Sequence, residues 1–184
     1  MLLSEISVPV FSQFLGNLSG LLDKAAAHAT VKKIDPAVLL GTRLAPDMYP
    51  FVKQVQLASD FSKGCTARLA GKDPPKFPDD ETTIDELKLR LSNTIAFMHS
   101  LDPKAIDIAD DRDVTFPAGP NQRTMKGRYY LLFSAMPNFY FHTTAAYAIL
   151  RHCGVEIGMR DFIGPVPVEL SGQQLTPGNR QPVS

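Results

Sequence analysis

The chain has 184 residues, of which 44% are apolar and 21% charged, and its formal net charge is zero. This composition predicts one soluble globular domain with its own core and excludes a disordered chain. Nucleic-acid binding is not expected because no cluster of Lys and Arg is present. No membrane span is expected either, because no apolar run approaches the roughly 20 residues needed.

The N-terminal part predicts a long helix followed by a short one. Apolar residues recur at three- and four-residue steps from Leu3 to Ala25, which predicts a helix over about residues 4–28. Pro9 is compatible with this helix if it lies in the first turn. In the segment IDPAVLLG, Asp35 is the expected N-cap of a short helix.

Two further long helices are predicted in the middle of the chain. The segment APDMYPFVKQVQLASDFSKGCTARLAG predicts a helix that begins after Asp47 as its N-cap and ends at Gly71. Thr83 and Glu86 have the spacing of a capping box, which predicts a third long helix from there to about Leu101.

The last third of the chain changes pattern twice. The segment RDVTFPAGPNQRTMKG has two short runs around a Gly-Pro-Asn turn and predicts a β-hairpin. A fourth long helix is expected over about residues 128–153, closed by Gly154. The following segment, VEIGMRDFIGPVPVEL, is expected to be extended and to pack along the surface of the bundle.

These elements predict an all-α four-helix bundle with a short β-hairpin insertion before the last long helix. No repeat or linker divides the chain, so we expect residues 1–171 to form a single domain. Residues 172–184 lack apolar anchors, and we expect them to form a flexible C-terminal tail.

His142 lies on the inward stripe of the fourth long helix, one turn after Asn138. A buried imidazole without a partner costs about 1–3 kcal/mol, so it must form a hydrogen bond or bind a ligand. Pro137 has no N–H group to donate to the carbonyl of Phe133, which predicts an irregular helix close to this pair.

Two interpretations of His142 remain open from the residues alone. It bonds to Gln54, Gln56 or Asp60 on a neighbouring helix, or it acts as a metal ligand or general base. A strong metal site in a bundle has two histidines at i and i+4 or Glu-x-x-His motifs, and neither occurs here. We expect a central pocket that contains the following residues: Asn138, His142, Gln54, Tyr49, Asp60 and Tyr140.

Two segments carry a resemblance to a known family, RLAPDMYPFVKQVQLASDFSKGCTARLAG and PNFYFHTTAAYAILRHCGVEIGMRDFIG. Over about residues 1–170 the chain resembles an uncharacterised family of the DinB-like superfamily of four-helix bundles. The resemblance implies a DinB-like fold in a superfamily regarded as metalloenzymes, which includes thiol-dependent transferases and isomerases. It also implies a homodimer that forms through faces of the bundle.

The resemblance further implies where a metal would bind. Members of the superfamily typically hold a divalent metal through one histidine on the second helix and an H-x-x-x-H pair on the fourth. His142 matches the second histidine of that pair, Asn138 stands at the first, and Gln54 lies near the third position. One ligand is kept and two are amides, so the implied metal site is degenerate.

The sequence therefore predicts a member of this uncharacterised DinB-like family whose one-histidine pocket binds a small polar molecule. The alternative is an enzyme that uses His142, with or without a divalent metal such as Zn or Ni, on a small and thiol-linked substrate. We expect no metal cofactor in the first case. Cys65 and Cys153 fit no zinc or redox spacing, and the N-terminus lacks a basic signal region, so we expect a reducing, cytoplasmic location.

Overall fold

The computed structural model describes residues 1–165 and contains four long helices with a hairpin between the third and the fourth. The predicted tail, residues 172–184, lies outside the described residues. None of the helices within residues 1–165 is long and apolar enough to cross a membrane. The elements are α1 (Leu3–Lys32), α2 (Pro36–Gly41), α3 (Phe51–Leu69), α4 (Ile84–His99), α5 (Pro103–Asp107), β1 (Asp113–Ala118), β2 (Asn121–Lys126), α6 (Gly127–Tyr130), a π-helical turn (Leu131–Ala135), α7 (Met136–His152) and α8 (Met159–Ile163).

The four long helices form a ring in which α1 and α3 both pack against α4, and α3 packs most extensively against α7. Their inward apolar stripes make one continuous core, as the helical period predicts. The largest completely buried side chains in this core include Phe11, Phe51, Phe139, Leu87 and Met98. The all-α bundle with a small hairpin is therefore confirmed.

Two details of the predicted helix starts are wrong. Pro9 lies well inside α1, beyond its first turn, because α1 begins at Leu3. Asp47 is not the cap of α3, because α3 begins at Phe51 with Pro50 as its N-cap. The residues before Pro50 instead close a turn, and the Phe51 N–H donates to the Thr42 carbonyl at 2.8 Å.

The capping box of α4 is present as predicted. The Glu86 N–H donates to Thr83 Oγ1 at 3.2 Å, and the Thr83 N–H donates to Glu86 Oε2 at 2.9 Å. These two bonds satisfy backbone donors that the first turn of a helix cannot pair internally. These bonds tie the end of the loop of residues 70–83 to the start of α4.

The β-hairpin is also present, with β1 and β2 antiparallel from Asp113 opposite Lys126 to Ala118 opposite Asn121. Gly119 closes its turn at a φ of 61°, a conformation that favours glycine. Phe116 turns inward and is buried against Tyr130, with ring centroids 4.4 Å apart. This contact holds the hairpin against the start of the last long helix.

The irregularity predicted near Pro137 takes the form of the π-helical turn that precedes α7. Here the Met136 N–H donates to the Leu131 carbonyl, five residues back instead of four. An inserted residue of this kind shifts the helix register. Pro137 is tolerated beside it because proline has no N–H to donate to the helix. The turn places Ser134 and the following residues beside the hairpin.

The prediction that the segment after α7 is extended is wrong in part, because residues Met159–Ile163 form α8. The segment does pack along the surface of the bundle. Lys24 pairs with Asp161 at 2.7 Å, and the Asn17 side-chain amide donates to the Phe162 carbonyl at 3.0 Å. The Phe162 ring fills the seam between α1 and α7.

Candidate functional site

The central polar pair of the bundle is His142 on α7 and Gln54 on α3. His142 Nδ1 lies 2.7 Å from Gln54 Oε1, and Gln54 Nε2 donates to the Tyr49 carbonyl at 3.1 Å. A carbonyl oxygen only accepts, so this second bond fixes the orientation of the Gln54 amide. Oε1 must then accept from His142, which places the ring proton on Nδ1 and the lone pair on Nε2.

The surroundings of His142 keep its ring neutral. The residue is 7% exposed and stacks on Phe61 at a centroid distance of 5.5 Å, with Phe141 edge-on at 5.2 Å. Burial, with a smaller contribution from the charge of Lys53, lowers the pKa of His142 to about 4. At neutral pH the side chain is therefore an uncharged imidazole.

The remaining ring nitrogen of His142, Nε2, is not completely buried. Nε2 forms no hydrogen bond with any residue from 1 to 165. In the same part of the chain, every completely buried side-chain nitrogen or oxygen has a hydrogen-bond partner. Nε2 is therefore not completely buried, and its lone pair is the atom of this ring that a bound group could reach.

The donor set around His142 does not fit the three-histidine metal centre implied by the family resemblance. Gln54 is a hydrogen-bond partner of His142, and the Asn138 amide nitrogen donates to the Ser134 carbonyl at 2.7 Å. Amide oxygens are poor ligands for zinc or nickel beside imidazole. Within residues 1–165, no group of three or more His, Cys, Asp or Glu side chains is placed to hold a metal ion.

Tyr140 and Tyr49 were expected in the pocket, but their rings do not contact His142. Tyr140 faces the other side of α7, where its ring packs edge-on against Phe14 with the ring centroids 5.1 Å apart. Burial there raises the pKa of Tyr140. Tyr49 is 57% exposed and contributes its backbone carbonyl to Gln54. The six predicted site residues therefore divide among different surroundings.

Asp60 and Asn138 instead line a cavity of about 620 Å³ between α3, the β-hairpin and the π-helical turn. We call it the hairpin cavity. Phe61 connects it to the polar pair, since this residue lines the cavity and its ring stacks on His142. The remaining lining residues are Leu57, Arg68, Phe116, Pro117, Ala118, Gly119, Arg123, Met125, Tyr130, Phe133 and Ser134.

Behind the cavity lies a buried ionic network that the sequence reasoning missed. The Arg90 side chain is 1% exposed and pairs with Asp60 at 2.9 Å, Asp79 at 3.0 Å and Glu81 at 2.8 Å. Lys63, with a side chain 5% exposed, pairs with the same Asp60 oxygen at 3.0 Å. The available signal was a charged residue three positions after the inward Leu87, near an acidic run in the preceding loop.

Comparison with known proteins agrees with this architecture. The sequence profile of the family described as "Domain of unknown function (DUF1993)" matches residues 3–163. Among solved structures, the chain is similar to a DinB family member protein from Shewanella denitrificans, with 38% sequence identity and a TM-score of 0.84. That similarity covers 90% of this chain and 93% of the other. No curated protein matches the sequence.

Proposed function

This chain belongs to the DUF1993 family and has a DinB-like helical bundle, and from that premise we propose that it binds a small polar organic molecule in the hairpin cavity without a metal ion. The cavity itself carries the proposal. Its volume of about 620 Å³ falls within the roughly 300–1,000 Å³ typical of small-molecule sites. Such sites combine apolar walls with a few convergent polar groups, and this cavity has both.

Two oxygens on the cavity wall have spare capacity to accept hydrogen bonds. Asp60 Oδ1 accepts a hydrogen bond from Arg90 and pairs with the Lys63 ammonium group, while Oδ2 forms no hydrogen bond within residues 1–165. Asn138 uses its amide nitrogen on the Ser134 carbonyl, and its Oδ1 forms no hydrogen bond in that part of the chain. These acceptors suit a ligand that carries hydroxyl or N–H groups.

The exclusion of a metal from this proposal rests on ligand chemistry. Only Nε2 of His142 offers an imidazole lone pair at this position, and the Gln54 oxygen is occupied by Nδ1. A site with one nitrogen ligand and amide oxygens is weak for zinc or nickel. The Gln54–His142 pair then serves to fix Phe61, which forms part of the cavity wall.

A matched pair of substitutions at Ser134 tests the cavity as the binding site. Ser134→Trp should fill the cavity, whereas Ser134→Ala removes only the hydroxyl. A library of small polar molecules would be screened against wild type by ligand-observed NMR. We expect molecules that bind wild type and Ser134→Ala to lose binding to Ser134→Trp. Molecules that bind all three proteins equally would place the site elsewhere and overturn the proposal.

One observation favours a second candidate, a histidine-dependent enzyme acting on a small, thiol-linked substrate. The His142 ring is uncharged at neutral pH, so its Nε2 lone pair is free to accept a proton, and Nε2 is not completely buried. The test uses cysteine and 1-chloro-2,4-dinitrobenzene. His142 would take the thiol proton, the sulfur would displace chloride from the ring, and the thioether product is followed by absorbance. Product formation above the buffer rate that His142→Gln abolishes would support this candidate, and equal rates in both proteins would exclude this reaction.

A further inference from the structure

We infer that the ligand of the hairpin cavity is an organic anion with a flat apolar body, recognised by Arg68 and Arg123. The inference rests on the proposed function, because it names the class of molecule that the same cavity takes. Both arginines line the cavity, one from α3 and the other from β2. They approach it from different elements, so an anion between them would join the helix to the hairpin.

Neither of these two arginines forms an ion pair with a carboxylate among the described residues. Neither Arg68 nor Arg123 has an Asp or Glu oxygen within 4.0 Å among residues 1–165. Asp60 is the acidic residue in the lining, and Lys63 and Arg90 already face its charge. The lining therefore carries an excess of positive charge that an anionic ligand would neutralise.

Arg68 is held in place by its neighbours. Its Nη1 donates to the Tyr130 hydroxyl at 3.1 Å, and burial raises the pKa of Tyr130, which keeps that hydroxyl protonated. A Cβ at Gly64, one turn earlier on α3, would lie 2.6 Å from Nη1, so this glycine leaves room for the guanidinium. The other guanidinium nitrogens form no hydrogen bonds within residues 1–165 and suit a planar carboxylate.

The apolar walls indicate the shape of the rest of the ligand. Phe116 and Tyr130 pack together on one side of the cavity, and Phe61 contributes a further ring. Phe133 also lines the cavity and is 70% exposed, so its ring stands at the mouth. Aromatic surfaces of this kind favour a flat aromatic or conjugated body through stacking and edge contacts.

The test compares 2-naphthoate with 2-naphthamide, which has nearly the same shape but no charge, by titration calorimetry. Wild type should bind naphthoate about tenfold more tightly, because a hydrogen bond to a charged group exceeds one to a neutral group by roughly that factor. Arg123→Gln and Arg68→Gln should each remove most of this preference. The control Arg160→Gln, which changes an exposed arginine on α8, should retain it.

The outcomes separate this inference from the proposed function. Equal affinity for the two probes, both lost in Ser134→Trp, would overturn the anion inference and support binding in the cavity. Retention of naphthoate binding by Ser134→Trp would overturn both, because the site would lie outside the cavity. Binding of neither probe to wild type would overturn the inference of a flat organic anion, and the NMR screen with the Ser134 variants would then decide the proposed function.

Discussion

His142 makes the stability of the fold depend on pH, because its surroundings in the folded protein disfavour protonation of the ring. Burial and the charge of Lys53 lower its pKa from an ordinary 6.5 to about 4. Between these two pH values the unfolded chain binds a proton that the folded protein does not. This contribution to stability is complete above about pH 6.5 and is lost as the pH falls toward 4.

We expect His142→Gln to weaken that pH dependence. Between about pH 7 and about pH 4.5, the free energy of unfolding of wild type should fall by about 2–3 kcal/mol more than that of the variant. Urea unfolding at the two pH values gives the change in unfolding free energy for each protein. Comparing these changes cancels any pH-independent loss of stability in the variant. An equal fall in unfolding free energy for the two proteins would show that His142 has an ordinary pKa in the folded protein.

Part of the candidate site could be predicted from single residues. The helical period places His142 inward, and the cost of burying an imidazole requires a partner, which is Gln54, one of three expected. The period alone does not show that Asn138 lies beside a cavity, because the hairpin supplies the opposite wall. Arg90 was missed because a buried arginine needs partners from a loop that has no periodic pattern.

Among the elements, the loop of residues 70–83 depends on Arg90 for its position. The guanidinium donates to the Pro78 carbonyl at 2.9 Å and pairs with Asp79 and Glu81 in the same loop. Gln56 on α3 donates to the second oxygen of Glu81 at 2.8 Å. These bonds join the loop to both α3 and α4. Removing Arg90 would leave Glu81 without a cationic partner within residues 1–165, while Asp60 would keep Lys63 and Asp79 would keep Lys53.

We expect Arg90→Ala to lower the free energy of unfolding by about 3–5 kcal/mol, the usual cost of breaking a buried ion pair. Lys88→Ala is the control on the same helix, because it removes an exposed pair with Asp23. That variant should leave the midpoint of denaturant unfolding almost unchanged. If the two variants unfold at the same denaturant concentration, the Arg90 network makes no net contribution to stability.

Elements with strong local signals were predicted more accurately than elements set by tertiary contacts. Thr83 and Glu86 cap α4 as expected because both bonds are local in sequence. The start of α3 was misplaced because the chain before Pro50 forms a turn tied back to Thr42. α8 was missed because five residues are too few to show a helical period, and its position depends on contacts with α1.

For the whole molecule, the outer face of α7 and the π-helical turn is apolar and exposed. Phe133 and Phe141 are 70% and 58% exposed, and no Asp, Glu, Lys or Arg occurs between Tyr129 and Leu150. A surface helix of a monomer usually has a charged outer face. A charge-free patch suits an interface between two copies, where each residue near the symmetry axis meets its own copy.

The homodimer predicted from the family resemblance is therefore expected to use this face. Light scattering after size-exclusion chromatography should give a dimer for wild type and a monomer for Phe141→Lys. Leu89→Lys is the control, because Leu89 is 60% exposed on α4, away from this face, and the variant should remain a dimer. A wild-type monomer, or a dimer that persists in Phe141→Lys, would contradict this arrangement.

The measurement that tests the central claim most directly is the metal content of protein purified without a histidine tag and then exposed to zinc, nickel and manganese. The claim is that the Gln54–His142 pair stands where a metal centre would otherwise lie. We predict far less than one ion per chain after dialysis, in wild type and in His142→Ala alike. One tightly held ion per wild-type chain, lost in His142→Ala, would contradict the account and make a metalloenzyme the leading hypothesis.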